Sequence, residues 1–511
     1  LISVTDKSGL EELAAAFAKA GVHIVASSGT QKYLAGRGIA SEEIAAYTGS
    51  PEILGGRVKT LHPKIHGGIL ANRDNDDHVR ALADAGMLPV DYVVVNLYPF
   101  EEKYRSGSLS PEELVEFIDI GGITLLRAAA KNYRHVTVVT DPAQYGEVVE
   151  ALAKDGQTSS ELRGRFASRA FALTATYDAA IYRFFLEISP PEGLPERVPV
   201  GLEKVTDVRY GENPHQKAAL YRTIDDSPLT GMVQHQGKAL SYNNYQDIVG
   251  AFNLAKELGP ECVAIIKHTN PCGAAWCGNV VASFRRALAC DPTSAFGGIV
   301  AVNGTVSAEL AGELTQMFLE VVLARDYDED ARAAFKKKKN LRVITIPDAY
   351  WEEDRAGTMA VLVENVALVQ EKDTGLPELE DLKQVTKRAP SDAEMTALKM
   401  SWKVAKHVKS NAIVIADSEG TVGIGAGQMS RVDSAQIATR KANDAGLSLS
   451  GTAAASDAFF PFADGVTELA KSGVTAVIEP GGSVRDQEVI DAADEAGVAM
   501  LFTGRRHFRH V

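Results

Sequence analysis

Lys267 and His268 follow directly on the apolar run Val263 to Ile266, and Thr269, Asn270, Pro271 and Gly273 come next. The pattern reads as a buried strand that delivers two titratable side chains to a loop of turn formers. Open α/β sheets bind ligands outside the carboxyl ends of their strands. An imidazole suits proton transfer near neutrality, and a neighbouring ammonium can hold developing negative charge. The competing reading is an ordinary Lys-His pair in a surface turn.

Other segments carry a comparable density of chemical groups. Gly55 to Gly68 packs Arg57, Lys59, Lys64, Thr60, His62 and His66 between glycine pairs, a basic loop in an acidic protein. Ser3 to Gly9, with Lys7, and Ser27-Ser28-Gly29-Thr30 each end a strand-like run and open a helical one. Helix N-termini offer free N–H groups to phosphate, although serine and threonine caps are common everywhere. Asn96 and Tyr98 close another strand, and Asp119 precedes Gly121-Gly122 and a helical stretch with Arg127 and Lys131 on one face. Like charges four residues apart repel unless an anion or carboxylate lies between them, so Asp119 with Lys131 reads as an acid–base pair, or alternatively as a structural ion pair. Arg209-Tyr210-Gly211-Glu212-Asn213-Pro214-His215-Gln216 is a polar turn rich in recognition side chains. Ser456 to Phe462 sets an aromatic cluster beside Asp457, suited to a flat heterocycle or to a core.

The elements that must position these groups alternate. Strand-like runs at Gly21–Ser27, Asp91–Tyr98 and His135–Thr140 are separated by helical patterns, the first starting at Ser8 with Glu11 placed for a capping box. Such alternation predicts a parallel sheet covered on both faces. The Pro- and Gly-dense stretch Ser189 to Pro199 predicts a domain boundary, giving domains 1–190 and 191–511, and the polar stretch Asp373 to Ser391 divides the second into subdomains of about 200–380 and 381–511. Strands are expected at 262–267 and 297–303, and a hairpin over 411–416 and 421–425. The run Lys336 to Lys339 reads as a solvated helix end.

Bulk properties narrow the function. The 511 residues carry 53 Lys+Arg against 67 Asp+Glu, a net charge of −14, which argues against nucleic acid and membrane surfaces as partners. No stretch reads as a signal peptide or membrane span. The chain opens on Leu1 within a strand-like run, so native residues are expected to precede it. Its four cysteines, Cys262, Cys272, Cys277 and Cys290, fall in one short region, which suits a reducing cytoplasm and not a disulfide framework. Pro271-Cys272 with Cys277 invites comparison with the Pro-Cys-x-x-Cys arm of zinc deaminases, but the spacing differs and no His-x-Glu precedes it, so zinc is not expected.

Gly56 to Pro63, Asp119 to Asn132, Arg209 to Gln216, Lys267 to Pro271 and Ser456 to Phe462 together resemble the bifunctional aminoimidazole-carboxamide ribonucleotide (AICAR) formyltransferase/IMP cyclohydrolase family, end to end. The resemblance implies an α/β fold, with a methylglyoxal-synthase-like parallel-sheet domain followed by two cytidine-deaminase-like subdomains. It implies formyl transfer from 10-formyltetrahydrofolate, a co-substrate, to AICAR, then dehydrative closure of formyl-AICAR to IMP. By resemblance, His268 would be the transfer base, Lys267 its oxyanion partner, and Asn411 would orient His268 or the formyl group. Arg209, Tyr210, Gly297, Asp326, Arg431, Arg506 and Phe508 would hold the transferase nucleotide, and Phe459, Pro461 and Asp464 the folate. Lys59, Tyr98, Asp119 and Lys131 would form the cyclohydrolase acid–base set. Lys7, Ser27, Gly29, Thr30, Arg57, Thr60, Asn96, Ile120 and Gly121 would contact its nucleotide. A homodimer with transferase sites across its interface is implied, and a monovalent cation (K+) is compatible. The alternatives are a nucleotide- or folate-binding regulator without turnover, and a lyase fused to a zinc deaminase.

Overall fold

The computed structural model describes residues 1–352 and 357–510. The chain packs as two compact units, residues 1–203 with 222–225, and residues 204–221 with 226–511.

The first unit is built on a five-stranded sheet. Its strands are β1 (Ile2–Ser3), β2 (Val25–Ala26), β3 (Glu42–Glu43), β4 (Tyr92–Val95) and β5 (Thr137–Val139), in the order β3-β2-β1-β4-β5 and all parallel. β4 is buried along its whole length, as expected of a strand covered on both faces. The helix Leu10–Lys19 buries Leu10, Leu13, Ala14 and Phe17 against this sheet. The expected capping box from Ser8 does not form. Asp6 accepts the Ser8 N–H at 2.8 Å, and the chain enters the helix through Gly9 at φ 67° with no side-chain cap. The strand predicted over Gly21–Ser27 also contracts, to β2, with Ser27 at the N-cap position of the helix Ser28–Ala35.

The second unit holds two six-stranded mixed sheets. One comprises β6 (Val233–Gln236), β7 (Cys262–Lys267), β8 (Asn270–Trp276), β9 (Ile299–Val306), β10 (Val321–Tyr327) and β11 (Arg342–Thr345), in the order β8-β7-β9-β10-β11-β6. The other comprises β12 (Lys383–Gln384), β13 (Ile413–Ala416), β14 (Thr421–Gly425), β15 (Thr452–Ser456), β16 (Val474–Glu479) and β17 (Ala499–Phe502), in the order β14-β13-β15-β16-β17-β12. The two orders correspond strand for strand. In each, an antiparallel hairpin leads into three parallel strands, and an antiparallel strand closes the far edge. The sequence shows no short-period repeat, and the correspondence appears in the topology.

Burial explains how the sheets stack. Along β7, Cys262, Ala264 and Ile266 join a core shared with Val414, Ala453 and Ala455 of the other sheet, while Val263 and Ile265 face an outer core. The helices Tyr242–Leu258 and Asp392–Ala405 fill the space between the sheets. The edge strands β8 and β14 also meet: Trp276 N–H donates to Glu419 O at 2.7 Å, and Ala274 N–H to Thr421 Oγ1 at 3.0 Å. All four cysteines are free thiols, three of them buried. Lys336 to Lys339 are exposed at the end of the helix Glu329–Phe335.

Candidate active sites

In the first unit, Asp119 lies just before the helix Gly121–Lys131 and is 9% exposed. Its carboxylate accepts the Gly122 N–H at 2.6 Å and the Tyr98 N–H at 3.4 Å. Burial pushes its pKa up, and the two backbone hydrogen bonds only partly offset this. The glycine pair is a packing requirement. A Cβ on Gly122 would sit 2.6 Å from Asp119 Oδ2, and one on Gly121 would sit 2.6 Å from Thr60 Oγ1. Tyr177, from the long helix Ser160–Ile188, fixes the approach: its hydroxyl accepts the Asp119 N–H at 2.9 Å and donates to Phe117 O at 2.9 Å. Sequence reading missed Tyr177, since nothing in its helix links it to a residue 58 positions earlier.

Around Asp119 stand Thr60, buried, and Ile120 and Tyr98, exposed at 56% and 44%. Lys59 Nζ is held 2.8 Å from Glu52, and Arg57 pairs with Glu116. Thr30, buried at the start of β2's helix, bonds both Val4 N and Val4 O at 3.3 Å and receives Ser27 Oγ at 3.1 Å. Gly29 is exposed one residue earlier. Lys7 Nζ bonds Thr5 O, and Asn96 Oδ1 accepts the N–H groups of Thr5 and Asp6, so these two residues shape the first strand–helix loop. Lys131 is the exception. The helix Gly121–Lys131 has 11 residues, so at ~1.5 Å per residue Lys131 stands about 15 Å from the Asp119 end. Within one chain the expected Asp119–Lys131 pair does not form. Lys131 instead lines a cleft with Asn72, His78, Tyr133 and His135.

In the second unit, β7 ends at Lys267, and β8 begins at Asn270. The loop expected after His268 is therefore a two-residue turn, and Asn270 to Gly273 are strand. His268 and Thr269 both adopt left-handed backbone, at φ 51° and 62°. That conformation costs roughly 1–2 kcal/mol for each non-glycine residue. Asp247, on the helix Tyr242–Leu258, offsets part of it by accepting the Thr269 N–H at 2.6 Å. Burial raises the Asp247 pKa, opposed by that hydrogen bond and by His268. Asp247 was not among the expected site residues, because its contact depends on helix–turn packing. The result is an exposed His268 beside Lys267, whose ammonium is fixed on Phe296 O at 2.8 Å, next to Gly297 at φ 74°.

Asn270 Oδ1 accepts the Lys409 N–H at 3.0 Å and so ties this turn to the residues entering β13. Asn411 is fully engaged there. Its Nδ2 donates to Gln428 O and Met429 O, and its Oδ1 accepts from Arg431 at 3.0 Å. Arg431 is 7% exposed and also donates to Asp457 Oδ1 at 3.0 Å and Phe459 O at 3.3 Å. Arg431, expected to hold the nucleotide, thus braces Asn411, Asp457 and the Phe459 carbonyl from a nearly buried position. Burial opposes charge on both partners, lowering the Arg431 pKa and raising that of Asp457 despite the contact between them. The pair is held by surrounding hydrogen bonds, including one from Ser410 Oγ to Asp457.

The aromatic string divides. Phe460 is buried, while Phe459 and Phe462 are exposed and flank Pro461, also exposed, with Asp464 opening the next helix. Glu479, at the end of β16 and 0% exposed, accepts the Phe460 N–H at 2.7 Å and leaves Oε1 without a partner. Its pKa is pushed up to about 8, chiefly by burial. In the tail, Arg506 stacks 4.6 Å over the exposed Phe508 ring. Arg209 stacks similarly on Tyr210, whose carbonyl accepts the Tyr242 N–H. Asp326 is not brought to His268. It lies at the carboxyl end of β10, about 17 Å along the strand from Val321, at ~3.3 Å per residue, and pairs with Arg332 at 2.9 Å. Among the described residues no group of three His, Cys, Asp or Glu side chains could hold a metal ion, and no helix is long and apolar enough to cross a membrane.

Comparison with known proteins gives two family matches, "AICARFT/IMPCHase bienzyme" over residues 129–441 and "MGS-like domain" over residues 9–124. The bifunctional purine biosynthesis protein PurH of Rhodospirillum rubrum is 52% identical over 519 residues, covering 100% of this chain and 98% of the relative. That of Chelativorans sp. is 51% identical over 521 residues, with coverages of 100% and 96%. That of Rhizobium leguminosarum bv. trifolii is 49% identical over 525 residues, with the same coverages.

Proposed function

The chain belongs to the AICARFT/IMPCHase bienzyme family, and from that premise we propose how its residues divide the two reactions. It catalyses the last two steps of IMP synthesis, formyl transfer to AICAR and ring closure of formyl-AICAR. We assign ring closure to the first unit and formyl transfer to the second.

In formyl transfer the 5-amino group of AICAR is a weak nucleophile, because its lone pair is delocalised into the ring and carboxamide. His268 takes its proton as the carbon–nitrogen bond forms. Lys267 stabilises the oxyanion and passes a proton to the departing folate nitrogen. The observation that carries this assignment is the two-residue turn, held by Asp247, that presents His268 to solvent beside an anchored Lys267. Asn411, locked on both sides, supplies a rigid wall between the turn and the Arg431–Asp457 pair. Phe459, Pro461 and Asp464 offer exposed edges for 10-formyltetrahydrofolate, and Arg209, Tyr210, Gly297, Arg506 and Phe508 serve the nucleotide. Asp326 serves it from a second copy of the chain, a reading supported by its distance from Lys267 and its exposure. The functional form is then a homodimer.

In ring closure the carboxamide nitrogen attacks the formyl carbon of the same molecule and the formyl oxygen leaves as water with two of the protons carried by the carboxamide and formamido nitrogens, so positioning supplies much of the rate. Asp119, with its raised pKa, exchanges protons with the reacting amide, assisted by Lys59 and Tyr98. Lys131 reaches such a site only from elsewhere than its own Asp119. Lys7, Ser27, Gly29, Thr30, Arg57, Thr60, Asn96, Ile120 and Gly121 form the nucleotide cradle. No residue is assigned to a cation and no step is routed through one. Four free thiols support a cytoplasmic setting.

The test is product analysis with AICAR and 10-formyltetrahydrofolate, and separately with formyl-AICAR. His268→Ala is expected to lower formyl transfer by about 10²–10⁴-fold and to leave ring closure intact, while Asp119→Asn does the reverse. Full formyl transfer by His268→Ala would remove the assignment.

A further inference from the structure

His507 is 2% exposed, yet its two chain neighbours, Arg506 and Phe508, stand in solvent. Both ring nitrogens are engaged. Nδ1 lies 2.6 Å from Asp373 Oδ2, and Nε2 lies 2.7 Å from Glu378 Oε1. Donating to two carboxylates requires both ring N–H groups, which only the imidazolium carries. Burial disfavours that charge, but the hydrogen bonds to Asp373 and Glu378 outweigh it and raise the His507 pKa. Both carboxyls are in turn held below their usual range against the effect of burial.

The surroundings reinforce the same grip. Trp402 packs edge-on at 5.3 Å and donates its Nε1–H to Glu378 Oε1 at 2.9 Å. Arg505 Nη1 is 3.7 Å from Glu378 Oε2, and Lys406 donates to Gly375 O at 2.9 Å within the same segment. The His507 backbone N–H donates to Asp457 O at 3.0 Å, and Ser410 N–H donates to Arg509 O at 2.9 Å. With His507 held inward, its two chain neighbours Arg506 and Phe508 both stand in solvent.

We propose that His507 is a positioning residue for formyl transfer: clamped by the segment Asp373–Glu378, it presents Arg506 and Phe508 to the nucleotide. The inference rests on the reading that Arg506 and Phe508 contact AICAR. A tail freed from the clamp would pay the cost of ordering when substrate binds, so the defect falls on KM more than on kcat.

The experiment is steady-state kinetics of the full-length enzyme and its His507→Gln, Asp373→Asn and Arg506→Ala variants, with AICAR varied and ring closure of formyl-AICAR as the internal control. His507→Gln is expected to raise KM for AICAR on the order of tenfold, with kcat within about threefold and ring closure unchanged. In the parent enzyme KM should climb as pH rises through the elevated His507 pKa, and this climb should vanish in His507→Gln. Asp373→Asn should move KM the same way but less. If Arg506→Ala raises KM and His507→Gln does not, the clamp is overturned. If Arg506→Ala leaves KM unchanged, the nucleotide reading beneath it fails instead. Should His507→Gln lose ring closure too, Asp373→Asn decides, and an unchanged KM there overturns the clamp.

Discussion

The two six-stranded sheets share one strand order but load opposite ends with chemistry. In the first, the pair Lys267-His268 sits where the hairpin turns, at the amino-terminal end of its parallel strands. In the second, the corresponding turn, Asp417–Gly420, packs on Trp276 and Arg286 of the first sheet's side, and the buried polar groups gather at the carboxyl ends: Asp457 after β15, Glu479 on β16 and His507 after β17. The first sheet also has an arginine at its carboxyl edge. Arg325 bonds Asn303 at 2.7 Å and pairs with Asp348 and Glu352. The Arg325 side chain is 18% exposed and its acids 77% and 67%, whereas Arg431 and Asp457 are 6% and 0% exposed. Topology thus sets where loops converge, and local residues decide whether a convergence becomes a dry polar network or a solvated one.

That contrast can be broken first at the arginines. Arg431→Met strands a buried carboxylate and should cost about 3–5 kcal/mol, whereas Arg325→Met should cost about 1 kcal/mol or less. Native-state hydrogen exchange of β15 and β10 reads this out, since a chain of this size does not unfold in one step. Equal losses would mean that burial does not distinguish the two networks.

Glu479 sharpens the comparison through pH. Its folded pKa of about 8 lies above the ordinary 4.5, so its contribution is intact below pH 4.5 and is lost as pH rises through that window to 8. Glu479→Gln escapes the loss, so its stability relative to the parent should grow by up to about 1.4 kcal/mol per pH unit from pH 5 and level off above 8. A pH-independent difference in thermal melting would refute this. The smallest effect belongs to the turns. Thr269→Gly relieves a β-branched residue at φ 62° and should stabilise the first hairpin by less than about 1 kcal/mol. It should also lower kcat for formyl transfer, as His268 loses its fixed presentation. Among the described residues of the second hairpin turn no non-glycine residue is left-handed, so a glycine there should gain nothing.

Much of the frame was legible from local pattern. The strand expected at 262–267 has those bounds, the one expected at 297–303 spans 299–306, and the hairpin arm expected at 411–416 starts at 413, because a strand covered on both faces needs an unbroken apolar run. Local competition escaped that pattern: Asp6 took the Ser8 N–H and moved the first helix start to Gly9. The Asp119–Lys131 pair failed for a related reason, since proximity in sequence along a rigid helix is separation in space. The Arg431–Asp457 pair was not legible, because a sequence does not say whether a cation faces solvent or a buried carboxylate.

The sequence by itself determined the family and its two reactions, because its strings resemble those of that family from end to end. Only tertiary structure decided which partners hold them. Tyr177 on Asp119, Asp247 under the His268 turn, Glu479 under Phe460 and the two carboxylates on His507 are contacts between remote segments. Such contacts arise from the packing of helices on sheets, and packing depends on every element at once, so no local spacing encodes it.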